Sequence, residues 1–390
     1  MGQPPTGTQY RDPPPFSAEV EGAALTLYPA GADRLKALLE MIGNARDTLK
    51  LVFYIFACDG TGVKVRDALT AAARRGVKVT LIVDSFGADA DEKFFADFCQ
   101  AGGEFRCFSA RRTMRYLIRN HQKMVIADRD RAMIGGFNIA DDYFAPPQQN
   151  GWNDLAIALR GDAVGPLHQW FAHLLDWTDV DGAEWRQVRD AVRKWDERVG
   201  ACRWLVGGPS RHLSTWAHCV KRDLDKASRL DLIMAYFSPP GALLRRIRRI
   251  ARRGSARLIT AGKSDNGATI GASRALYSDL LKSGVEIHEF VACKMHTKLL
   301  VIDDAVYLGS ANFDMRSLYI NLEIMLRVED AAFAARVREF VAQHLDGTNE
   351  VTREGHRERN TLMNRLRWNF SWLLVSAIDY TVSRRLNLGL

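Results

Sequence analysis

Two short constellations in this chain have the residue types and spacing for phosphoryl chemistry. One runs His296-Thr297-Lys298, then Asp303, then Gly309-Ser310-Ala311-Asn312. The other runs His121-Gln122-Lys123, Asp128, Gly135-Gly136-Phe137-Asn138. Each reads H-x-K, four residues, D, a short apolar run and G-G/S-x-N. Alternate side chains of an extended strand share a face, so His121 and Lys123 point one way, as do His296 and Lys298. Histidine titrates near neutrality and can serve as nucleophile, acid or base. A lysine two residues on offers a point charge to a phosphate oxygen. The Gly-Gly or Gly-Ser turn lets backbone approach a ligand closely, and the asparagine that follows can donate an amide N–H to the same phosphate. Two copies facing each other would surround one phosphorus with two histidines, two lysines and two asparagines. That set suits in-line displacement at a phosphodiester with no metal and no other cofactor. A lone histidine in an apolar stretch would read as a satisfied core residue, but two matched constellations do not.

The elements that must position these residues also come in two copies. In the first half, a helix is expected over Ala32–Arg46, with Leu35, Leu38, Leu39 and Ile42 on one face. A β-like run follows over Leu49–Phe56, then a helix Val63–Arg75 closed by Gly76. Next come a strand Val77–Val83, a helix Asp91–Ala101 and a strand Phe105–Phe108. The second half repeats the order. It has a strand Leu230–Phe237, a helix Ala242–Arg253 closed by Gly254, a strand Ala256–Thr260, a helix Ala272–Lys282 and a strand Val285–Phe290. Tyr54-Ile55-Phe56 aligns with Ala235-Tyr236-Phe237, and Arg74-Arg75-Gly76 with Arg252-Arg253-Gly254. The alternation of strand and helix predicts an α/β architecture, and the repetition an internal duplication with one motif per copy. The expected division is a flexible Pro-rich tail over 1–22, a first repeat over 23–198, a second over 199–345 and a basic amphipathic segment over 346–390.

The 390 residues are enough for two domains of ordinary size, and 47% hydrophobic with 26% charged residues is ordinary for a globular chain. A net charge of +8 and a pI near 9.2 favour anionic partners, nucleic acid or an anionic membrane surface, and cannot separate the two. The six cysteines form no C-x-x-C pair, so neither a zinc site nor a redox motif is indicated; they read as free thiols. The N-terminus lacks the basic start and apolar core of a signal peptide. The uncharged run Trp368–Ile378 is too short to span a bilayer.

The paired H-x-K-D motifs resemble the signature of the phospholipase D superfamily. The run Gly309-Ser310-Ala311-Asn312-Phe313-Asp314-Met315-Arg316-Ser317-Leu318-Tyr319-Ile320-Asn321-Leu322-Glu323 resembles bacterial cardiolipin synthases well beyond the bare motif. Gly135–Asp141 is similar to their first motif, and Tyr54-Ile55-Phe56 with Asp59 and Gly62 to their opening strand and turn. The likeness covers roughly residues 23 to 345. It implies two pseudo-symmetric α/β repeats with the active site in the cleft between them. It also implies a covalent mechanism, with His121 as nucleophile and His296 as acid and base. The candidate catalytic residues are then His121, Lys123, Asp128, His296, Lys298 and Asp303, the two aspartates being mainly structural in relatives. Asn138 and Asn312 would bind phosphate beside the lysines. In relatives an acidic residue downstream of the asparagine orients each histidine. Glu323 fits that place in the second copy; Asp154 fits it in the first, where Phe144–Gly151 reads as an insertion before it.

The resemblance implies a phosphatidyltransferase that makes cardiolipin from two phospholipids through phosphohistidine. Two other readings stand beside it. One is a hydrolase of phospholipids or, less favoured, of nucleic acid; the other is a non-catalytic lipid-binding protein on the same fold. The expected partners are an anionic phospholipid, phosphatidylglycerol foremost, and the membrane surface. No obligate nucleic acid or protein partner is implied. The expected place is peripheral, on the cytoplasmic side of the cell membrane. Three basic or apolar stretches bear on that. Arg111–Arg119 leads into His121 and suits a loop meeting headgroups, whereas the arginines of 245–253 read as a solvated helix face. Leu362, Leu366, Phe370, Leu373 and Ala377 form a stripe at helical spacing, with Trp368 and Trp372 off it, flanked by Arg365, Arg367, Arg384 and Arg385. Such a segment can lie in the membrane interface or pack on the protein.

Overall fold

The computed structural model describes residues 10–109, 118–178, 185–209 and 213–378. The first repeat contributes β1 (Phe16–Val20), β2 (Ala23–Tyr28), β3 (Thr48–Phe53), β4 (Lys78–Asp84), β5 (Glu104–Phe108), β6 (Met124–Ala127), β7 (Arg131–Gly135), the two-residue β8 (Trp152–Asn153) and β9 (Ala156–Arg160). Eight of them form a mixed sheet in the order β1-β2-β9-β7-β6-β3-β4-β5. The second repeat contributes β10 (Asp196–Val199), β11 (Cys202–Gly207), β12 (Arg229–Met234), β13 (Phe237–Ser238), β14 (Ser255–Ala261), β15 (Glu286–Phe290), β16 (Lys294–Met295), β17 (Lys298–Ile302), β18 (Ala305–Gly309), β19 (Phe313–Asp314), β20 (Glu323–Glu329) and β21 (Thr348–Glu350). Its sheet runs β10-β11-β20-β18-β17-β12-β14-β15-β21. Position by position the two orders coincide, with β21 added at one edge. The α/β duplication expected from the sequence is therefore present.

The strands read as continuous apolar runs because each sheet is covered on both faces. In β3, Leu49, Leu51 and Phe53 enter a core with the helices α1 (Gly31–Gly43), α2 (Gly60–Arg74) and α3 (Ala96–Gln100), while Val52 points to the opposite face. In β17, Leu300 and Ile302 face the second repeat's outer helices, and Leu299 and Val301 face inward. The inward faces of both sheets share one core with Trp170 and Phe171 of α4 (Gly165–Asp176) and Phe333 and Phe340 further on. The chain crosses between the repeats through α5 (Trp185–Lys194), and α6 (Thr215–Lys226), α7 (Gly241–Arg253) and α8 (Gly267–Lys282) cover the second sheet. After a short α9 (Met315–Tyr319) come α10 (Ala331–Gln343), α11 (Arg353–Arg359) and α12 (Leu362–Trp372), which runs into a π-helical turn, Leu373–Ile378.

Several expectations need correction. The flexible tail does not extend through residue 22: Tyr10 is buried edge-on against Phe290, and Phe16–Val20 pairs with Ala23–Leu27. The expected helix Asp91–Ala101 is helical only over Ala96–Gln100; residues 92–95 form turns, in which the Asp91 carboxylate accepts from the Phe94 N–H. Trp368 is not at an interface. It is 4% exposed and stacks on His356, 5.5 Å away. The solvated reading of α7 holds, since Arg246 and Arg249 pair with Asp225 and Arg248 with Asp279. Most of the basic stretch before His121, residues 110–117, lies outside the described residues.

Candidate active site

Each H-x-K motif sits where a short crossing segment enters a central strand. Reciprocal backbone pairing between the repeats fixes it there. In one direction β16 pairs with β8, and the N–H groups of His296 and Thr297 both donate to the Asn153 carbonyl (2.8 and 3.1 Å). In the other, Asn120 bridges Leu322; the Leu322 N–H donates to the Arg119 carbonyl and the His121 N–H to the Leu322 carbonyl, each at 2.9 Å. Asn153 and Leu322 are the residues before Asp154 and Glu323. Each repeat therefore delivers its acid to the other repeat's histidine. His296 Nδ1 lies 2.6 Å from Asp154, and His121 Nδ1 lies 3.1 Å from both oxygens of Glu323. With each Nδ1–H donated to a carboxylate, Nε2 is the ring nitrogen left to react.

Both histidines line one cavity of about 410 Å³, with Asn138 and Asn312 in its wall. Lys123 and Lys298 lie beneath, 0% and 2% exposed, each donating through Nζ to the carbonyl of its own motif's histidine. Asn138 accepts from the Ile55 N–H and donates to the Tyr143 hydroxyl, which fixes its amide. The Asn312 side-chain oxygen is buried, with no hydrogen-bond partner among the described residues. The phosphate-facing set expected from the sequence thus converges on one place.

The small residue of the turn serves the acid. A Cβ on Gly136 would stand 2.4 Å from an Asp154 oxygen, so only glycine admits that carboxylate. In the second copy Ser310 takes this place and donates its hydroxyl to Glu323. This corrects the expectation that the turn lets backbone approach the ligand. Sequence reading also missed Arg34, a fully buried residue of α1 whose guanidinium donates to the carbonyls of Asp154 and Tyr143. Its only sequence signal is an arginine on the apolar side of an amphipathic helix.

Asp128 and Asp303 belong elsewhere and leave the list of catalytic candidates. They sit at the far ends of their strands, seven residues beyond the histidines. Both adopt left-handed backbone angles, φ 55° and 46°. Asp128 accepts from the N–H groups of Arg46, Asp47 and Thr48, and Asp303 from those of Ser228 and Arg229. Each clamps the hairpin that follows the motif to the start of a parallel strand. A short polar residue tolerates that backbone and supplies the acceptor.

Burial dominates the electrostatics. It pushes the His121 imidazole well below its usual range, helped by Lys123 and Lys298, and His296 down to about 3, against the pull of Asp154. Burial likewise lowers Lys123 to about 7 and Lys298 to about 8, with Glu323 and Asp154 opposing. Glu323 is raised by burial to about 7. Burial also works against the charge on Asp154, but His296, Lys298 and Arg34 outweigh it and hold that carboxyl below the ordinary range. Both imidazoles are thus held neutral near pH 7, each with a lone pair on Nε2.

The fold and the two crossed histidine–carboxylate pairs define an enzyme of the phospholipase D superfamily. The family model described as "Cardiolipin synthase, PLD-like domain" matches residues 38–175 and 220–345, one block in each repeat, and the chain belongs to that family. It is 29% identical over 340 residues to the major cardiolipin synthase of Bacillus subtilis (strain 168), covering 84% of this chain and 70% of that one. Cardiolipin synthase 1 of Staphylococcus aureus (strain COL) is 28% identical over 345 residues, covering 84% and 69%. Among solved structures, phosphatidylserine synthase of Haemophilus influenzae superposes with a TM-score of 0.75 over 92% of this chain and 95% of that one, at 13% identity. Polyphosphate kinase of Porphyromonas gingivalis superposes with a TM-score of 0.60 at 14% identity, over 89% and 52%. At such identities the superpositions speak for the fold alone.

Proposed function

We propose that this protein is a phosphatidyltransferase that makes cardiolipin from two phospholipids through a phosphohistidine intermediate, with phosphatidylglycerol as its anionic lipid. The observation that carries the reading is the crossed pair of dyads on one cavity, in a chain whose cardiolipin synthase relatives align over most of its length. His121 Nε2 attacks the phosphorus of the donor lipid, and His296 gives its proton to the departing alcohol oxygen. His296 then takes the proton of the incoming lipid hydroxyl, whose oxygen displaces His121 and closes the new diester. The bound phosphodiester's own negative charge favours protonation of the histidine beside it. Lys123, Lys298, Asn138 and Asn312 hold the non-bridging oxygens as their charge grows, and loss of one such donor costs about 10²–10³ in rate.

The protein would work at the bilayer surface, docked through α12. Among the described residues no helix is long and apolar enough to cross a membrane. Leu362, Met363, Leu366 and Phe370 are nevertheless 59–76% exposed on a helix that also carries Arg365 and Arg367. The turn that follows reaches the cavity wall through Val375. The deciding experiment incubates purified protein with phosphatidylglycerol vesicles and identifies the lipids formed. Cardiolipin should appear, and H121A and H296A should each abolish it. Formation of phosphatidic acid alone would make the protein a hydrolase.

A further inference from the structure

The two histidine–carboxylate pairs are backed in different ways. In the second copy the residue before the acid is Leu322, which is buried in the shared apolar core. At the matching place in the first copy stands Asn153, also buried. An amide in such a place is costly unless its donors and acceptor are used. Its side-chain oxygen accepts from the Thr297 hydroxyl at 3.0 Å. Its NH2 group donates to the Asp12 carboxylate (3.0 Å) and the Tyr10 hydroxyl (3.2 Å), with His344 Nε2 at 3.4 Å. His344 Nδ1 donates to the Phe340 carbonyl, which leaves Nε2 as the accepting nitrogen. Tyr10 and Asp12 precede β1, ahead of the strands that the two sheets have in common. Tyr10 is fixed to both repeats: its ring meets Phe290 edge-on at 5.0 Å, and its carbonyl accepts from the Gln148 amide.

Asn153 stands between this segment and the chemistry. Its backbone carbonyl receives the His296 and Thr297 N–H groups, and the next residue, Asp154, receives His296 Nδ1. Arg34 grips the neighbouring main chain, donating to the carbonyls of Trp152 and Asp154. A shift of the Asn153 side chain therefore reaches both the main chain of His296 and the acid that orients its ring. Leu322 transmits nothing comparable through its side chain, because apolar contact is non-directional whereas hydrogen bonds fix an orientation. We propose that Tyr10 and Asp12 are positioning residues: the segment before β1 sets the His296–Asp154 pair through the Asn153 side chain, and the His121–Glu323 pair is left to the apolar core. The inference rests on the reading of His296 as acid and base. A group that passes a proton must lie within hydrogen-bond reach of the oxygen it serves, and a misplacement of about 1 Å costs about 10²-fold in rate.

The test compares Y10F, D12A and D12N with the unmodified protein, melting temperatures first. Y10F deletes one hydroxyl and keeps the ring on Phe290, so it carries the test should D12A prove too unstable to assay. D12N keeps an acceptor oxygen for the Asn153 amide. Imidazole NMR resonances read the position of each histidine, and cardiolipin formation from phosphatidylglycerol vesicles reads the rate. Y10F and D12A should shift the His296 ring resonances and leave those of His121 in place. They should lower kcat about ten- to a hundredfold, with KM within about twofold of the parent. D12N should restore both the resonances and the rate. A role in stability alone predicts a lower melting temperature with His296 resonances and kcat unmoved, and that result overturns the proposal. A shift of both histidines together overturns it as well. The proposal and the reading beneath it fail separately. Cardiolipin formation with unmoved His296 resonances in the variants overturns the positioning role and keeps the transferase reading. A shift confined to His296, in a protein that forms no cardiolipin, supports the positioning role and overturns the transferase reading.

Discussion

At the scale of single residues, the site depends on how closely an acid can approach a histidine. Gly136→Ala places a Cβ 2.4 Å from an Asp154 oxygen, and the carboxylate must move. Activity should fall about 10²-fold or more, as for loss of a positioned acid–base group, with a melting temperature near that of the parent. Ser310→Gly removes one donor from Glu323 but leaves the space open, so its effect should be smaller; initial rates of the two variants check the order. The buried imidazoles also shape stability. With His296 lowered to about 3, the unfolded chain takes up a proton between pH ~6.5 and ~3 that the folded chain refuses. That stabilising contribution is complete above the unfolded value and is lost as pH falls through this window. H296Q lacks it. Urea unfolding at pH 7 and pH 5 should show a shallower acid-side decline for the variant, by up to about 1.4 kcal/mol per pH unit.

At the scale of elements, α12 serves two surfaces at once. Trp368 faces inward onto His356, and Ser371 approaches Gly271 of α8 so closely that a Cβ there would lie 2.7 Å from its hydroxyl. Leu362, Leu366 and Phe370 face outward. Serine at these three positions should leave the stability within about 1 kcal/mol of the parent, as exposed positions do, and weaken sedimentation with anionic vesicles. Trp368→Ala should behave oppositely, costing about 3 kcal/mol of stability through a cavity. Vesicle binding unaffected by the triple change would move the docking surface elsewhere. The cross-repeat pairings β16–β8 and Asn120–Leu322 act in the same double manner, as minor sheet contacts that set the position of a histidine ring.

At the scale of the whole molecule, the two repeats complete one another, because neither holds both members of a histidine–carboxylate pair. His121 and Glu323 are 202 residues apart, and His296 and Asp154 are 142 apart. Imidazole NMR resonances give a direct check. E323Q should shift the His121 ring and its titration and leave His296 nearly unmoved, while D154N should do the reverse. If each acid acted on its own repeat's histidine, the pattern would invert. The common inward core of the two sheets holds this geometry rigid, since neither repeat can rotate without exposing residues such as Trp170, Ile324 and Phe340.

The sequence by itself determined the duplication, the alternation of strand and helix, and the histidines and asparagines that line one cavity. These are matters of type and short spacing: continuous apolar runs, a helix-closing glycine, H-x-K on one strand face. Through the resemblance to relatives it also pointed to Glu323 and Asp154 as the histidine-orienting acids. Only the tertiary structure decided which histidine each acid serves, because the pairing crosses between repeats and no local period encodes it. The same holds for Arg34, for the removal of Asp128 and Asp303 to the ends of the hairpins, and for Gly136 making room for Asp154. Those are contacts between segments tens to hundreds of residues apart. The segment over 362–378 shows the boundary clearly: its spacing announced an amphipathic helix, but only packing against α8 could fix which of its aromatic rings is buried.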